Sequence, residues 1–414
     1  MKKIDYIIIG AGITGLTVAE RLCDNNYLVI EKENHIGGYC SSIKNGEYVW
    51  DYAGHFFHFK DKDELELFKK KFSTSEYIKV KKNTKVVYKG KMITYPFQNN
   101  LQELEESEYK ECILGIKNRV KKQEYNSFLD MLYSQYGIGV VDKFLRPYNE
   151  KLYTCDLNKL DANAMGRFFP PIHATGCVDK TYNDEFFYLY DGTEQYVRKL
   201  AFNENKIIMN CMVDSLDIEN RILVTSDGVS YKYNVLISTV PLKVLINMCG
   251  IIPKIKMTCN KVLVFNIGFD KKTEIHDVHW LYVPDKNISF YRVGFYDNIA
   301  SSDKGSLYVE VAFAEGQTIN PEVEFDSVIK GLRKIGIITN QEVVAYDYVI
   351  MDPAYVHIVN QQYIDELREK LKENNIFTVG RYGGWTYNSM EDCIIEAKET
   401  VDEILAYESL MGGD

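Results

Sequence analysis

The amino-acid sequence predicts an α/β fold, on three observations. Tyr6-Ile7-Ile8-Ile9 is an apolar run followed by a glycine-rich turn, a helical stretch from Leu16 to Leu22 and a second apolar run, Tyr27-Leu28-Val29-Ile30, which is the rhythm of a βαβ unit opening a parallel sheet. The pattern then turns helical from Asp61 to Phe72 and from Asn100 to about Tyr153, with apolar residues at spacings of three and four inside charged stretches such as Glu103 to Lys122. Finally, β-like runs return from Lys206 onward and dominate to about Ile350.

Composition sets the outer bounds. At roughly 150 residues per domain, a chain of 414 residues holds two or three cores, enough for an enzyme with a large cofactor. Charged residues at 26% and hydrophobic ones at 46% are ordinary for a globular chain and exclude disorder as the dominant state. With 49 Lys plus Arg against 59 Asp plus Glu, the net charge of −10 repels nucleic acid and anionic lipid, so an anionic substrate needs a local arginine site. Nine scattered cysteines without a C-x-x-C pair argue against a disulfide framework and a structural zinc site, and no metal site is expected. Met1 to Gly10 runs straight into a strand, without a signal peptide's longer apolar core, and no apolar run approaches the roughly 20 residues of a membrane span. A reduced, cytoplasmic, soluble protein with no membrane insertion is expected.

The later elements follow in order. Lys206 to Met209, Ile222 to Val224 and Val235 to Ser238 read as strands separated by turn signals such as Ser226-Asp227-Gly228, and Glu194 to Leu200 as a helix. Val262 to Ile267, Trp280 to Val283, Phe290 to Phe295 and Leu307 to Ala314 form a separate, largely antiparallel layer, with one helix from Phe325 to Ile335. Asn375 to Val379 is a last strand feeding a helix from Met390 to Leu405, whose apolar positions are Ile394, Ile395, Ala397, Val401 and Ile404. No internal repeat, low-complexity tract or long linker interrupts the chain.

Gly10-Ala11-Gly12-Ile13-Thr14-Gly15 is a G-x-G-x-x-G placed between an apolar strand and the helix it opens. The first glycine permits the tight turn, the second a close approach of backbone to a pyrophosphate, the third close packing of helix on strand, and the helix N-terminus presents N–H groups to phosphate. Strand two ends at Glu31, whose carboxylate suits the ribose hydroxyls of an adenosine. The plainer alternative is that the glycines only make a sharp strand-to-helix turn. NAD and FAD share this fingerprint. His35-Ile36-Gly37-Gly38 adds a second glycine pair, a feature of flavoproteins that hold FAD permanently.

From Val29-Ile30-Glu31 through Gly37-Gly38 the chain resembles the opening of UDP-galactopyranose mutases, FAD enzymes related to the amine-oxidase and protoporphyrinogen-oxidase group. Further segments match in order and mainly in the eukaryotic-type form. Tyr52-Ala53-Gly54-His55-Phe56-Phe57-His58 resembles the glycine-histidine loop beside the isoalloxazine, with His55 near the flavin and His58 equally well a core residue. Arg146 to Tyr153 resembles the uridine-receiving helix, with Tyr148 and Tyr153 as stacking faces; tyrosine at 153 replaces the usual tryptophan, and the alternative for either residue is that it only packs the helix. Trp280 to Pro284 and Phe290-Tyr291-Arg292 imply that Arg292 is the fixed arginine on the substrate diphosphate, where a planar fork matches phosphate; a surface charge is the alternative. Met165-Gly166-Arg167-Phe168 falls where the family carries a second phosphate arginine on a mobile loop, although the following Pro170-Pro171 departs from the family pattern. Gly380-Arg381-Tyr382-Gly383-Gly384-Trp385-Thr386-Tyr387 resembles the C-terminal flavin motif, with Arg381 on the flavin or pyrophosphate and Tyr387 on the substrate phosphates.

The resemblance thus implies catalytic roles for His55, Arg292, Tyr387 and Arg167. Cofactor contacts would come from Gly10, Gly12, Thr14, Gly15, Glu31, Lys32, Gly37, Gly38, Tyr39, Val213, Gly380, Arg381 and Met390, the last through its backbone. Substrate contacts would come from Tyr148, Tyr153, Arg167, Arg292, Tyr355 and Tyr387. It also implies a discontinuous Rossmann-like FAD-binding domain (residues 1–75, 190–245 and 370–414), a helical insertion domain for substrate (98–185) and an antiparallel β-sheet domain (76–97 and 246–369). The implied activity is pyranose–furanose interconversion of a nucleotide sugar by reduced FAD, charged by NADPH or NADH, in cell-surface polysaccharide synthesis. A homo-oligomer is compatible with the pattern. An FAD oxidase or desaturase of the wider group, and a flavoprotein without activity, remain the competing readings.

Overall fold

The computed structural model describes residues 1–165 and 184–411. The predicted α/β class is what the chain adopts: a mainly parallel sheet flanked by helices, and a mainly antiparallel sheet.

The parallel sheet draws its strands from both ends of the chain. Lys2–Ile9 lies between Tyr27–Ile30 and Ser230–Ser238, parallel to both, and Ile207–Ile208 extends the Tyr27 side. Ser230–Ser238 pairs at its end with the late strand Ile376–Thr378, in parallel, and at its start with Ile222–Thr225, in antiparallel. The first strand starts four residues before Tyr6 because its opening half lies at an exposed end of the sheet, where polar side chains hide the strand signal. Residues Ile7, Ile8, Val29 and Ile237 are wholly buried, as expected of a sheet covered on both faces. Against one face pack the helices Ile13–Arg21 and Met390–Met411, which join Leu16, Val18, Ile394, Ala397 and Val401 to Ile8, Val29 and Ile237 in one core.

The second sheet runs Val343–Met351, Thr258–Phe269, Ser306–Ala314, Arg292–Phe295, Trp280–Tyr282, Thr84–Tyr88 and Lys91–Thr94 in spatial order. Its pairings are antiparallel except that Trp280–Tyr282 runs parallel to Thr84–Tyr88. Helix Pro321–Lys334 covers one face through Val328 and Leu332. It starts one turn earlier than the apolar spacing predicts, because Asn320 caps the Val323 amide and Pro321 fixes the first turn. The opposite face turns toward the parallel sheet.

The helical stretch resolves into Glu106–Lys117, Phe128–Tyr136 and Arg146–Tyr153. The last ends where Thr154 turns left-handed at φ +55°. A helix over Gln361–Lys372 and a hairpin of Ser42–Asn45 with Tyr48–Asp51 have no counterpart in the sequence reading. Among the described residues, all cysteines are free thiols and no helix is long and apolar enough to cross a membrane.

Candidate active site

Between the two sheets and the helix Arg146–Tyr153 lies a cavity of about 1430 Å³. Pockets for one small ligand run to about 1,000 Å³, so this one has room for two.

One end is built by glycine loops. Gly10 sits at φ +102°, and a Cβ there would lie 2.3 Å from Thr239 Oγ1. Gly15 does not line the cavity; a Cβ on it would lie 1.9 Å from the Gly10 carbonyl oxygen, so its absent side chain is what lets helix and strand approach. Gly12 N-caps helix Ile13–Arg21 without a side-chain cap, so the first N–H groups and the positive dipole end face the cavity. The second glycine pair folds onto the first: Gly37 N–H donates to the Ala11 carbonyl at 2.8 Å, and a Cβ on Gly38 would stand 3.4 Å from the Gly12 Cα. A Cβ on Gly12 would meet only the Gly37 carbonyl, at 3.8 Å, so the protein itself leaves that approach open.

Glu31, buried at 7% exposure, accepts from the Ala11 amide at 2.6 Å through Oε2 and from the Glu33 amide at 2.9 Å through Oε1. Each oxygen keeps acceptor capacity toward the cavity. Thr14, Lys32, Tyr39, Val213 and Met390 line the same end, whereas Gly380 stands behind it against Thr14, its amide donating to Glu396. The glycine cradle, the uncapped helix end and the buried carboxylate fit an adenine dinucleotide with its pyrophosphate at the helix N-terminus.

The middle of the cavity carries His55. Gly54 must lack a side chain, since a Cβ would stand 2.4 Å from the Tyr308 hydroxyl. The Thr193 hydroxyl lies 2.9 Å from the His55 carbonyl and 2.8 Å from Asp51 Oδ2, and Asp51 also accepts the Thr193 amide at 2.7 Å, which ties this loop to the hairpin 42–51. His55 Nδ1 is buried without a hydrogen-bond partner among the described residues. Burial, followed by the nearby Arg381 and Arg292 charges, pushes the imidazole down to about 3, so the ring is neutral. His58 lies further out, its Nδ1 3.2 Å from the Glu185 carbonyl and its pKa lowered to about 4 by burial.

Two arginines and a set of phenols face the other side. Arg381 is held by the carbonyls of Asn388 and Ala354, each at 3.3 Å, with its guanidinium 4.5 Å from the Tyr387 ring centre and 5.0 Å from that of Tyr355. Those two rings stack at 5.7 Å and 14°. Burial pushes the Tyr387 phenol up to about 12, so it keeps its proton. Arg292 reaches the cavity from strand Arg292–Phe295 and is held side-on by buried Glu310, with Nε donating to Oε2 at 2.8 Å and Nη2 to Oε1 at 2.6 Å. The remaining guanidinium N–H groups are left available to other acceptors. The surface-charge alternative for Arg292 is thereby overturned.

Tyr148, on helix Arg146–Tyr153, meets Tyr282 at 5.3 Å and Tyr291 at 6.1 Å edge to face, and Tyr95 packs on Tyr282 at 4.6 Å. Tyr153 does not line the cavity. It is 1% exposed and sits behind Tyr355, ring centres 5.9 Å apart, with its hydroxyl donating to the Ala164 carbonyl at 3.4 Å. Arg167 lies outside the described residues. Sequence reasoning missed Glu310, Tyr95, Tyr282, Tyr291, Tyr308 and Asn149, which all line the cavity. Tyr282 and Tyr291 stood inside the quoted motifs, but Glu310 had no signal beyond its place in a strand.

The profile of the family described as NAD(P)-binding Rossmann-like domain matches residues 8–70. The UDP-galactopyranose mutase of Mycoplasma genitalium is 21% identical over 98% of this chain and 96% of its own length. A crystal structure of reduced UDP-galactopyranose mutase superposes with a TM-score of 0.90 at 21% identity, over 98% of this chain and 95% of that one. A protoporphyrinogen oxidase candidate from Exiguobacterium sp. 255-15 follows at 0.77 and 17%, covering 97% and 98%, and a putrescine oxidase redesigned in its cofactor binding at 0.68 and 12%, covering 98% and 99%. In sequence along nearly its whole length, and in fold, the chain resembles the UDP-galactopyranose mutases within this wider group of oxidase-like folds.

Proposed function

We propose that this chain is a flavin-dependent mutase that interconverts UDP-galactopyranose and UDP-galactofuranose or a related nucleotide sugar. The observation that carries the reading is the joining of a dinucleotide cradle, at Gly10, Gly12 and Gly37, to Arg292, Arg381, Tyr355 and Tyr387 in one cavity. An FAD oxidase of the wider group would be favoured by a pocket without a phosphate-binding arginine, whereas Arg292 enters this one.

FAD would be held by the glycine loops, Glu31, Tyr39, Val213, Arg381 and the Met390 backbone. When bound and reduced by NADPH or NADH, it supplies the nucleophile for covalent catalysis at the anomeric carbon. The chain's own task is positional. Arg292, Tyr355 and Tyr387 hold the diphosphate before and after it separates from the sugar, which makes its return effectively intramolecular. Tyr387, protonated, donates to a phosphate oxygen, and neutral His55 stands on the flavin side of the cavity. Tyr148, with Tyr282 beside it, offers a stacking face for the base. Arg167 is the second phosphate arginine of this reading, and Tyr153 acts from behind Tyr355. Residues 1–75, 190–245 and 370–414 form the FAD-binding unit of this scheme.

The test is a spectrum of the purified protein, oxidised and then dithionite-reduced, followed by incubation with UDP-galactofuranose. Conversion to UDP-galactopyranose in the reduced sample alone is the expected result. A flavin spectrum with oxygen consumption but no isomerisation would replace this reading with an oxidase.

A further inference from the structure

Lys151 is a half-buried cation that the site described above does not use. Its side chain leaves helix Arg146–Tyr153 beside the residues facing the cavity and ends on the turn 283–290, which joins the strands Trp280–Tyr282 and Arg292–Phe295. There Nζ donates to the carbonyls of Val283 at 2.8 Å, Asp285 at 2.9 Å and Phe290 at 2.6 Å. An ammonium has three N–H donors, so its whole capacity is spent on one turn. Among the described residues no carboxylate lies within ion-pair distance of it.

The gripped carbonyls belong to the two ends of the turn. Val283 N–H donates to the Tyr291 carbonyl at 2.8 Å, and Tyr291 N–H to the Glu310 carbonyl at 3.0 Å, so the next residue, Arg292, takes its place from this frame. A second tie runs outside the first: Lys286 in the turn pairs with Glu150 at 2.6 Å, and Glu150 also pairs with Arg146 at 2.8 Å.

We propose that Lys151 is a positioning residue, whose ammonium clamps the 283–290 turn to the base-stacking helix and so fixes the approach of Arg292 to the substrate diphosphate. This rests on the diphosphate-binding reading of Arg292. Burial lowers the ammonium to about 7, with Asp285 opposing. The charged pairs on the elements packed around the clamp are Arg146–Glu150 and Lys286–Glu150, on the helix and the turn, and Arg292–Glu310 on the strands. Loss of the proton removes one donor and turns a lone pair toward a carbonyl, so the clamp loosens on the alkaline side.

The experiment compares holoprotein carrying Lys151→Met or Lys151→Arg with the parent. Amide exchange over residues 283–292 needs no substrate and is read first. In Lys151→Met it should rise at least tenfold at Val283 and Tyr291 with flavin content unchanged, and Lys151→Arg, which keeps a charged donor, should recover most of the protection. Affinity for uridine 5′-diphosphate is then measured in a double-mutant cycle with Arg292→Ala. Lys151→Met should cost at least tenfold alone but less than twofold once Arg292 is gone. Unchanged exchange, or losses that simply add, would overturn the proposal. If the parent binds no uridine diphosphate at all, the assigned function fails instead, and the exchange result alone decides whether Lys151 clamps the turn.

Discussion

Glu310 holds Arg292 side-on inside the cavity wall, its two carboxylate oxygens taking Nε and Nη2 at 2.8 and 2.6 Å. The carboxylate is almost wholly buried, so it cannot recover its hydration when the arginine is removed. Breaking such a pair by deleting one partner costs roughly 3–5 kcal/mol, while replacing both by apolar groups recovers much of the loss. Urea melts of the holoprotein should therefore rank Arg292→Met well below Arg292→Met/Glu310→Leu, with uridine diphosphate binding lost in both. Equal stability of the single and double variants would mean that the pair carries no buried charge.

His55 has its imidazole pushed down to about 3. A histidine whose folded pKa is lowered contributes stability that is full above the ordinary value near 6.5 and is lost as pH falls toward the folded value. Between pH 6.5 and pH 4 this amounts to roughly 3 kcal/mol. The variant His55→Asn should lose less stability over that interval than the parent, and the His55 ring resonances should not titrate between pH 5 and 8.

Asp297 carries the opposite sign. Its carboxyl is buried, and burial raises it to about 6 against the lowering effect of backbone N–H groups at Ser306, Asp297 and Asn298. A carboxyl whose folded pKa lies above its unfolded value contributes stability present below that unfolded value and lost as pH rises through the folded one. Asp297→Asn should thus match the parent near pH 4 and exceed it by up to roughly 3 kcal/mol at pH 8. A stability difference that is flat with pH would show that the carboxyl stays ionised in the fold.

Two glycines of the first loop should fail in different ways. Gly15→Ala forces a Cβ into the Gly10 carbonyl, so it should lower the melting temperature of apoprotein and holoprotein alike. At Gly12 a Cβ makes only an ordinary contact with the Gly37 carbonyl, so Gly12→Val should still fold, yet purify without the flavin absorbance of the parent. Flavin retained in full by Gly12→Val would remove the pyrophosphate from that approach.

Legibility in the sequence followed the range of the interactions. The βαβ opening, the two glycine pairs and the returning strand near Ile376 are local patterns, and each lies where its residues predict. Tyr148 and Tyr153 are five residues apart on one helix, hence roughly 140° apart around its axis at about 100° per residue, so only one of them faces the cavity. Glu310 meets Arg292 across a strand pairing 18 residues long in sequence, which no local pattern marks. The hairpin 42–51 escaped notice because its first strand is half exposed and polar, and only Tyr48, Trp50 and Asp51 are buried on the second.

The parallel sheet takes its central strand from the start of the chain, and its last strand and covering helix from the end. During synthesis the Gly10–Gly15 loop leaves the ribosome long before Arg381 and Met390 exist to face it. At roughly 5–20 residues per second, that interval lasts roughly 20–70 s. Throughout it the apolar strand Lys2–Ile9 can pair with Tyr27–Ile30 but lacks the Met390–Met411 helix that seals its face, so this core and the cavity wall beside the Gly10–Gly15 loop are completed only when the last segment of the chain joins them.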